Sequence, residues 1–408
     1  MKQSIDPTNY SAWLSTAQHC RNLIFQSLDL TPDDDRLAAL PQATIPQDNC
    51  IFLGCTLGHK LADLAADSHA LIFPRLPNLQ FNPFRHELHT VDELFHSYDP
   101  TNPNGYHDTE DWKIYKSYIK VGADNKPLSP VQFVEVGLDE ILARRLHDTF
   151  IHDELENFLN CFRGPNQKGI IAIMGGHDKK RSDPDFKRVA ALARTLTLDG
   201  YLIASGGGPG LMEAANLGAF FAPQSEAVMF EAIDSIATPT SDSYYDQHWL
   251  SAAWHLRSRF LPADWTVARS LGIPTWFYGH EPPNIFASHI AKYFENSHRE
   301  EGLLAIATHG VIFAEGNAGT VQEIFQDACQ NYYINYAFRS PMILLGKDYW
   351  HPKPSHTADG YPVYANAAYP AYPLLLGLAQ KKGFTHLLTL TDSLEDVLAA
   401  IRAFPHPW

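Results

Sequence analysis

The chain reads as an α/β protein on a doubly wound parallel sheet with helices on both faces, preceded by a smaller α/β region. Three observations predict it. From about residue 168 onward, short apolar runs alternate with helix-length periodic segments. Those runs are apolar throughout rather than at every second residue, the pattern of strands buried on both faces of a parallel sheet. Two glycine-rich turns, at 205–213 and 315–323, sit where such a strand becomes a helix, at the carboxyl ends of what read as neighbouring strands.

Taken in order, residues 11–28 have the period of one amphipathic helix, and a polar, proline-containing connector follows to about residue 45. Residues 50–54 and 70–73 read as short strands around a helix at 57–66. A Pro- and Asn-rich passage covers 74–83. Strong helical periodicity at 139–162 is closed by Arg163-Gly164-Pro165-Asn166. Strands are then expected at 169–174, 201–205, 274–278, 310–314, 341–345 and 385–390. Helices are expected at 184–198, 209–221, 285–305, 319–332, 372–382 and 393–404. The first of these has Pro184 in its opening turn. The aromatic segment 238–271 interrupts the rhythm and is expected to insert a helix over a ligand cleft or a subunit interface.

A chain of 408 residues is long enough for two domains. The turn at 163–166 divides it into an accessory α/β region, 1–165, with a regulatory, lid or oligomerising role, and a nucleotide-binding region, 166–408. A net charge of −15 argues against a nucleic-acid polymer as partner. It leaves a small anionic ligand open, because local amides and one or two arginines decide that. The five cysteines form no CxxC pair and read as reduced thiols of a cytoplasmic protein. The first seven residues lack the apolar core of a signal peptide, and no apolar run approaches the roughly 20 residues of a membrane span.

The chemistry is carried by the turns. Gly206, Gly207, Gly208 and Gly210 precede a helix, so free amides and the helix dipole could meet a phosphate there. The same glycines could equally form a tight turn that binds nothing. The spacing is not the dinucleotide fingerprint, since Leu211 stands where a third glycine is needed, and no Gly-Lys-Ser/Thr of a P-loop follows. A dinucleotide oxidoreductase is therefore disfavoured. The second turn offers Gly316, Asn317, Gly319 and Thr320 as a phosphate cradle. It also places a carboxylate, Glu323, one helical turn further on. A carboxylate there suits glycosidic cleavage, whose transition state is a positively charged, oxocarbenium-like sugar. Its ordinary alternative is a first-turn glutamate favoured by the helix dipole.

Gly319-Thr320-Val321-Gln322-Glu323 resembles the G-T-x-x-E half of the P-G-G-x-G-T-x-x-E signature of the LOG ("Lonely guy") family, once described as lysine-decarboxylase-like. Gly206-Gly207-Gly208-Pro209-Gly210-Leu211-Met212 resembles that family's G-G-G-x-x-G-L-M, and Gly175-Gly176 falls at its opening loop. The resemblance covers about 168–350. It implies a Rossmann-like fold and hydrolysis of the N-glycosidic bond of a nucleoside 5′-monophosphate, giving free base and ribose 5-phosphate. The length is similar to that of the family's bacterial 5′-monophosphate nucleosidases. It implies no metal or organic cofactor, a homo-dimer or higher homo-oligomer, and catalytic roles for Glu323 and for Arg299, whose place matches an arginine of the family. Arg299 could instead pair with Glu295 along its own helix. Met212, Gly176 and His177 join the expected nucleotide-binding set. Glu315 and Asn317 replace the family's Pro and second Gly. The negative Glu315 would weaken phosphate binding unless it points away or pairs with an arginine. The alternative reading is a nucleotide-binding sensor or carrier with the same cleft and no turnover. Arg181 and Glu213 are weaker candidates, and residues 82–89 hold two histidines without a recognisable third metal ligand.

Overall fold

The computed structural model describes residues 2–102, 104–122, 127–277, 281–334, 338–364 and 368–405. It divides into two compact units rather than at one point near residue 165: Met1–Glu87 with Val134–Phe150, and Leu88–Phe133 with Ile151–Trp408.

The first unit is a four-stranded parallel sheet in the order β1 (Gln3–Ile5), β2 (Leu23–Gln26), β3 (Ile51–Leu53), β4 (Leu71–Phe73), with α1 (Tyr10–Thr16), α2 (Asp34–Ala38) and α3 (His59–Asp67) between strands. The single helix expected over 11–28 is wrong. Helix α1 stops at Thr16, and Leu23–Gln26 is a strand hydrogen-bonded to β1 on one side and β3 on the other. Asn22 and Ser27, both in the left-handed region (φ 58° and 53°), bracket it and break any helix. Leu23 and Phe25 then share one buried face, and Phe25 stacks on Phe52 at 5.1 Å. A period of two lay beneath an apparent period of 3.6.

The second unit opens with α4 (Val91–Leu94) and α5 (Glu110–Ser117). Helix α6 (Leu138–Leu159) contributes residues to each unit. The main sheet follows: β5 (Ile170–Met174), α7 (Pro184–Leu198), β6 (Leu202–Ser205), α8 (Leu211–Phe220), α9 (Glu226–Ile236), α10 (Trp249–Phe260), β7 (Ser270–Gly272), β8 (His289–Ile290), α11 (Asn296–Ala305), β9 (Gly310–Phe313), α12 (Ala318–Tyr333), β10 (Met342–Leu345), α13 (Lys347–Trp350), a small antiparallel pair β11 (Ser355–His356) and β12 (Pro362–Val363), α14 (Ala371–Lys382), β13 (Leu388–Thr391) and α15 (Leu394–Ala403). The sheet order is β13-β10-β9-β5-β6-β7-β8, and every pairing is parallel. The fold is thus a doubly wound, Rossmann-like sheet. Ile170, Ala172 and Met174 of β5 pack with Leu155 of α6, Leu303 of α11 and Ile324 of α12. Alternation sends Ile171 and Ile173 to the opposite face, where both are also fully buried.

Chain order reverses between β5 and β9: from β5 the sheet grows through β6, β7 and β8, then returns to β9 on the other side. Ligands of open α/β sheets bind beyond the carboxyl ends of the strands at such a switch point. The two glycine turns follow β6 and β9, so β5 stands between them and their strands are not direct neighbours.

Two expectations fail at this sheet, and one helix had no counterpart in the sequence reading. Residues 274–278 are not a strand. Pairing occurs at Ser270–Gly272, Thr275 makes one isolated bridge to Tyr293, and Tyr278 lies outside the described residues. The helix expected over 285–305 is only Asn296–Ala305, because His289 and Ile290 pair with Leu271 and Gly272 as the edge strand β8. Helix α9, with Ser225 Oγ accepting from the Val228 amide as its cap, was not anticipated. Among the described residues no helix is long and apolar enough to cross a membrane.

Candidate functional site

A cleft of about 470 Å³ opens at the switch point, within the ordinary range for small-ligand sites. Its walls come from the turn after β5 (Gly175, Gly176, His177), from the start of α12 (Asn317 to Thr320, with Glu323), and from Arg299 of α11 and Met212 of α8. Tyr244 and Glu281 complete it.

The start of α12 is held by its neighbours. Gly176 N–H donates to Glu315 O at 2.9 Å, and Tyr349 O–H donates to Gly316 O at 2.7 Å. A Cβ on Gly316 would collide with the Thr320 side chain and stand 3.0 Å from the Gly176 amide. Val321 N–H donates to Asn317 O, so the intrahelical ladder begins there and the amides of Ala318, Gly319 and Thr320 precede it. Gly319 needs no special φ, and a Cβ there would meet nothing within 4 Å. Alanine would favour the helix by about 1 kcal/mol. The glycine instead leaves room on the cleft side of the first turn.

Glu315 does not line the cleft. Its carboxylate lies 2.6 Å from Lys179 Nζ, which is itself 3.3 Å from Asp185. Asn317 turns its amide to Asp178 at 3.2 Å. The two departures from the family pattern are therefore both tied to the 177–181 loop, and the charge of Glu315 is matched by a lysine rather than by an arginine.

Glu323 lies deeper, 5% exposed, one turn into α12. Burial pushes its carboxyl up to about 7, opposed by Arg299 and reinforced by Glu300. Arg299 Nη1 stands 3.6 Å from Glu323 Oε1, and Arg299 Nη2 lies 3.8 Å from Met212 Sδ. Arg299 thus faces the cleft and Glu323. Glu300, beside it, accepts from Asn296 at 2.6 Å and from Gln322 at 2.7 Å. These bonds lock the junction of α11 and α12.

The turn after β6 behaves differently from expectation. Gly206, Gly207, Gly208 and Gly210 are buried and are not among the residues that line the cleft. Asn284 donates from its amide N–H to Gly207 O at 2.8 Å and from its side chain to Gly208 O at 3.1 Å. Ser205 Oγ donates to Asn216 Oδ1 at 2.8 Å. The first amide of α8, Leu211 N–H, donates to Gly176 O at 3.0 Å. Gly207 (φ 72°) lies against Ile273 and Pro274, so the turn needs glycine for conformation and close approach. Of this motif only Met212 reaches the cleft. The first helical amide of the expected anion cradle is taken by Gly176 O.

Arg181 and Glu213, weighed as candidates, are a buried structural pair. Arg181 Nη2 lies 2.5 Å from Glu213 Oε1, and Arg181 Nη1 donates to Ser241 O and Trp249 O, tying the inserted segment to α8. Glu281 was missed. It follows a Gly-His pair in a proline-rich loop with no periodic signal. Yet its Oε1 is 3.4 Å from His177 Nδ1, and burial raises its carboxyl against the pull of His177 and Arg299. Tyr244, from the inserted aromatic segment, sets its ring 6.0 Å from that of His177. Among the described residues no group of three or more His, Cys, Asp or Glu is placed to hold a metal ion.

No protein-family model and no curated protein matches the sequence. Among solved structures the chain is similar to the molybdenum cofactor binding protein of Rippkaea orientalis, at 15% identity over 58% of this chain and 98% of that one, TM-score 0.34. It is also similar to the molybdenum cofactor carrier protein of Chlamydomonas reinhardtii, at 14% identity over 58% and 97%, TM-score 0.34. Overlaps this loose carry no argument about this chain, and the site is read from its own residues.

Proposed function

We propose that this protein is a LOG-type phosphoribohydrolase, which hydrolyses the N-glycosidic bond of a nucleoside 5′-monophosphate to free base and ribose 5-phosphate. The observation that carries the reading is Glu323: a buried carboxyl poised at about 7, one turn beyond the leading amides of α12 and 3.6 Å from Arg299. The 5′-phosphate sits on the amides of Ala318, Gly319 and Thr320, where the helix dipole and the Thr320 hydroxyl add to the attraction. That anchor fixes the ribose against Glu323. The ionised carboxylate stabilises positive charge developing at C1′ and takes a proton from the attacking water. Arg299 offsets the charge of phosphate and carboxylate together. The reaction draws on no metal or organic cofactor. The unit Leu88–Phe133 with Ile151–Trp408 is the nucleotide-binding region in this reading, the unit Met1–Glu87 with Val134–Phe150 an accessory region, and the working form a cytoplasmic homo-oligomer.

The competing idea, a carrier or sensor without turnover, draws on Glu315 and Asn317. Lys179 offsets the Glu315 charge, and Asn317 turns its amide to Asp178, so neither weighs strongly against phosphate binding. Incubation of the folded protein with AMP, GMP, IMP, CMP and UMP, followed by chromatography, tests the reading. Free base and ribose 5-phosphate from at least one nucleotide are expected. Tight nucleotide binding without base release would overturn it in favour of the carrier.

A further inference from the structure

We propose that His177 is the acid that protonates the departing base, and that Glu281 is the positioning residue that holds its ring. The inference rests on the phosphoribohydrolase reading and concerns the half of the reaction that Glu323 and Arg299 leave unserved.

Breaking the bond between C1′ and the base nitrogen puts the bonding electron pair on the base. An unprotonated purine or pyrimidine anion is a poor leaving group at neutral pH, so a proton must arrive as the bond breaks. Among the described residues the cleft offers, besides Glu323, four titratable side chains that could carry one: His177, Tyr244, Glu281 and Arg299. Arg299 does not release its proton in a protein and is spent on Glu323. Tyr244 donates its hydroxyl to Tyr245, and burial raises it far above neutrality. Glu281 faces His177, with Oε1 3.4 Å from Nδ1. A carboxylate beside Nδ1 orients the ring and leaves Nε2 to meet the base.

The placement agrees with that division. Glu281 Oε2 lies 3.0 Å from where a Cβ on Gly208 would stand, so it belongs to the β6 side of the cleft. The phosphate cradle belongs to the β9 side, and the His177 turn follows β5 between them. The backbone of that turn is pinned on both sides, Gly176 N–H to Glu315 O and Gly176 O from Leu211 N–H. A nucleotide anchored at α12 thus directs its base towards His177 and Glu281, and the glycine at 208 makes room for the carboxylate.

In the step itself the C1′–N bond breaks and its electron pair stays with the base. The proton on His177 Nε2 goes to a base nitrogen, or to the carbonyl oxygen conjugated with it. The water oxygen bonds to C1′ as its proton passes to Glu323. Solvent then returns one proton from Glu323 to His177, and the enzyme is restored.

Leaving-group chemistry tests the assignment. The nucleotide cleaved fastest by the wild-type protein is compared with 4-nitrophenyl β-D-ribofuranoside 5-phosphate, whose nitrophenolate departs without a proton. His177→Ala is expected to lower kcat on the nucleotide by about 10²- to 10⁴-fold and on the nitrophenyl substrate at least tenfold less. Glu281→Gln is expected to show the same asymmetry more weakly, in kcat rather than KM. His177 is partly exposed on a loop, so thermal melting should find the variant folded. Equal losses on both substrates, or none on either, would overturn the assignment while leaving the hydrolase reading intact. A wild-type protein that cleaves neither substrate would overturn both.

Discussion

At the turn after β6, Leu211 N–H donates to Gly176 O, Asn284 holds Gly207 and Gly208, and the four glycines are buried. At the turn after β9, the amides of Ala318, Gly319 and Thr320 precede the helical ladder, Gly319 faces open space, and a carboxyl waits one turn further on. In sequence both are glycine-rich strand-to-helix turns. One spends its first helical amide on Gly176 O and keeps its glycines off the cleft, and the other sets its leading residues along the cleft. A glycine that makes room for the protein's own backbone and one that makes room for a ligand cannot be told apart by composition. Only the partner of the first helical amide separates them.

The largest effect belongs to the open turn. Glu323→Gln is expected to lower base release by about 10²- to 10⁴-fold, measured by chromatography. The variant also reports on pH. In the unfolded chain the carboxyl ionises near 4.5, and in the folded chain near 7. The folded state therefore holds an extra proton between those values, and stability falls as pH rises through that window. The loss reaches about 3 kcal/mol above pH 7. Glu323→Gln should remove that dependence and melt higher than wild type at pH 8. Because the free protein needs the ionised carboxylate, wild-type kcat/KM should fall about tenfold per unit as pH drops below about 7.

Next comes the closed turn. Asn216 accepts from Ser205 Oγ and Asn284 Nδ2 and donates to Leu271 O. Asn216→Ala leaves those buried groups unmet and should cost about 1–3 kcal/mol in urea unfolding. Affinity of the folded fraction for ribose 5-phosphate should change by less than about threefold. A tenfold weaker affinity with stability unchanged would mean the closed turn binds ligand after all.

Gly319→Ala should separate stability from binding in the opposite sense. Helix propensity leaves stability unchanged or raises it by up to about 1 kcal/mol, while ribose 5-phosphate, followed by calorimetry, binds at least tenfold more weakly. Retained affinity would mean that the space beside Gly319 is not used. The smallest effect is expected at Lys179→Met, which leaves Glu315 without its lysine. Phosphate affinity should fall only a few-fold, and added salt should shrink the difference.

Much of the sheet that carries the two turns was legible in the sequence. The fully buried strands Ile170–Met174 and Met342–Leu345 and the long periodic helix Pro184–Leu198 lie where pattern places them within a residue or so. Thr320 and Glu323 of the motif at 319–323 line one cleft with Arg299. The failures have physical causes. Strand β2 carries apolar residues that also fit a helix, and only pairing on both edges decides between them. Strand β8 is two residues long and exists because β7 offers an edge. Glu281 has no motif of its own, and its meaning comes from His177, far away in the chain. The anion cradle expected at Gly206–Gly208 failed because no sequence rule shows that Gly176 O reaches the Leu211 amide.

The most direct test is a crystal structure of the protein with ribose 5-phosphate. The account predicts the phosphate on the amides of Ala318, Gly319 and Thr320, with C1′ turned towards Glu323 and Arg299. Phosphate seated instead on the turn at 206–210, or ribose 5-phosphate bound away from the β5–β9 switch point, would contradict it.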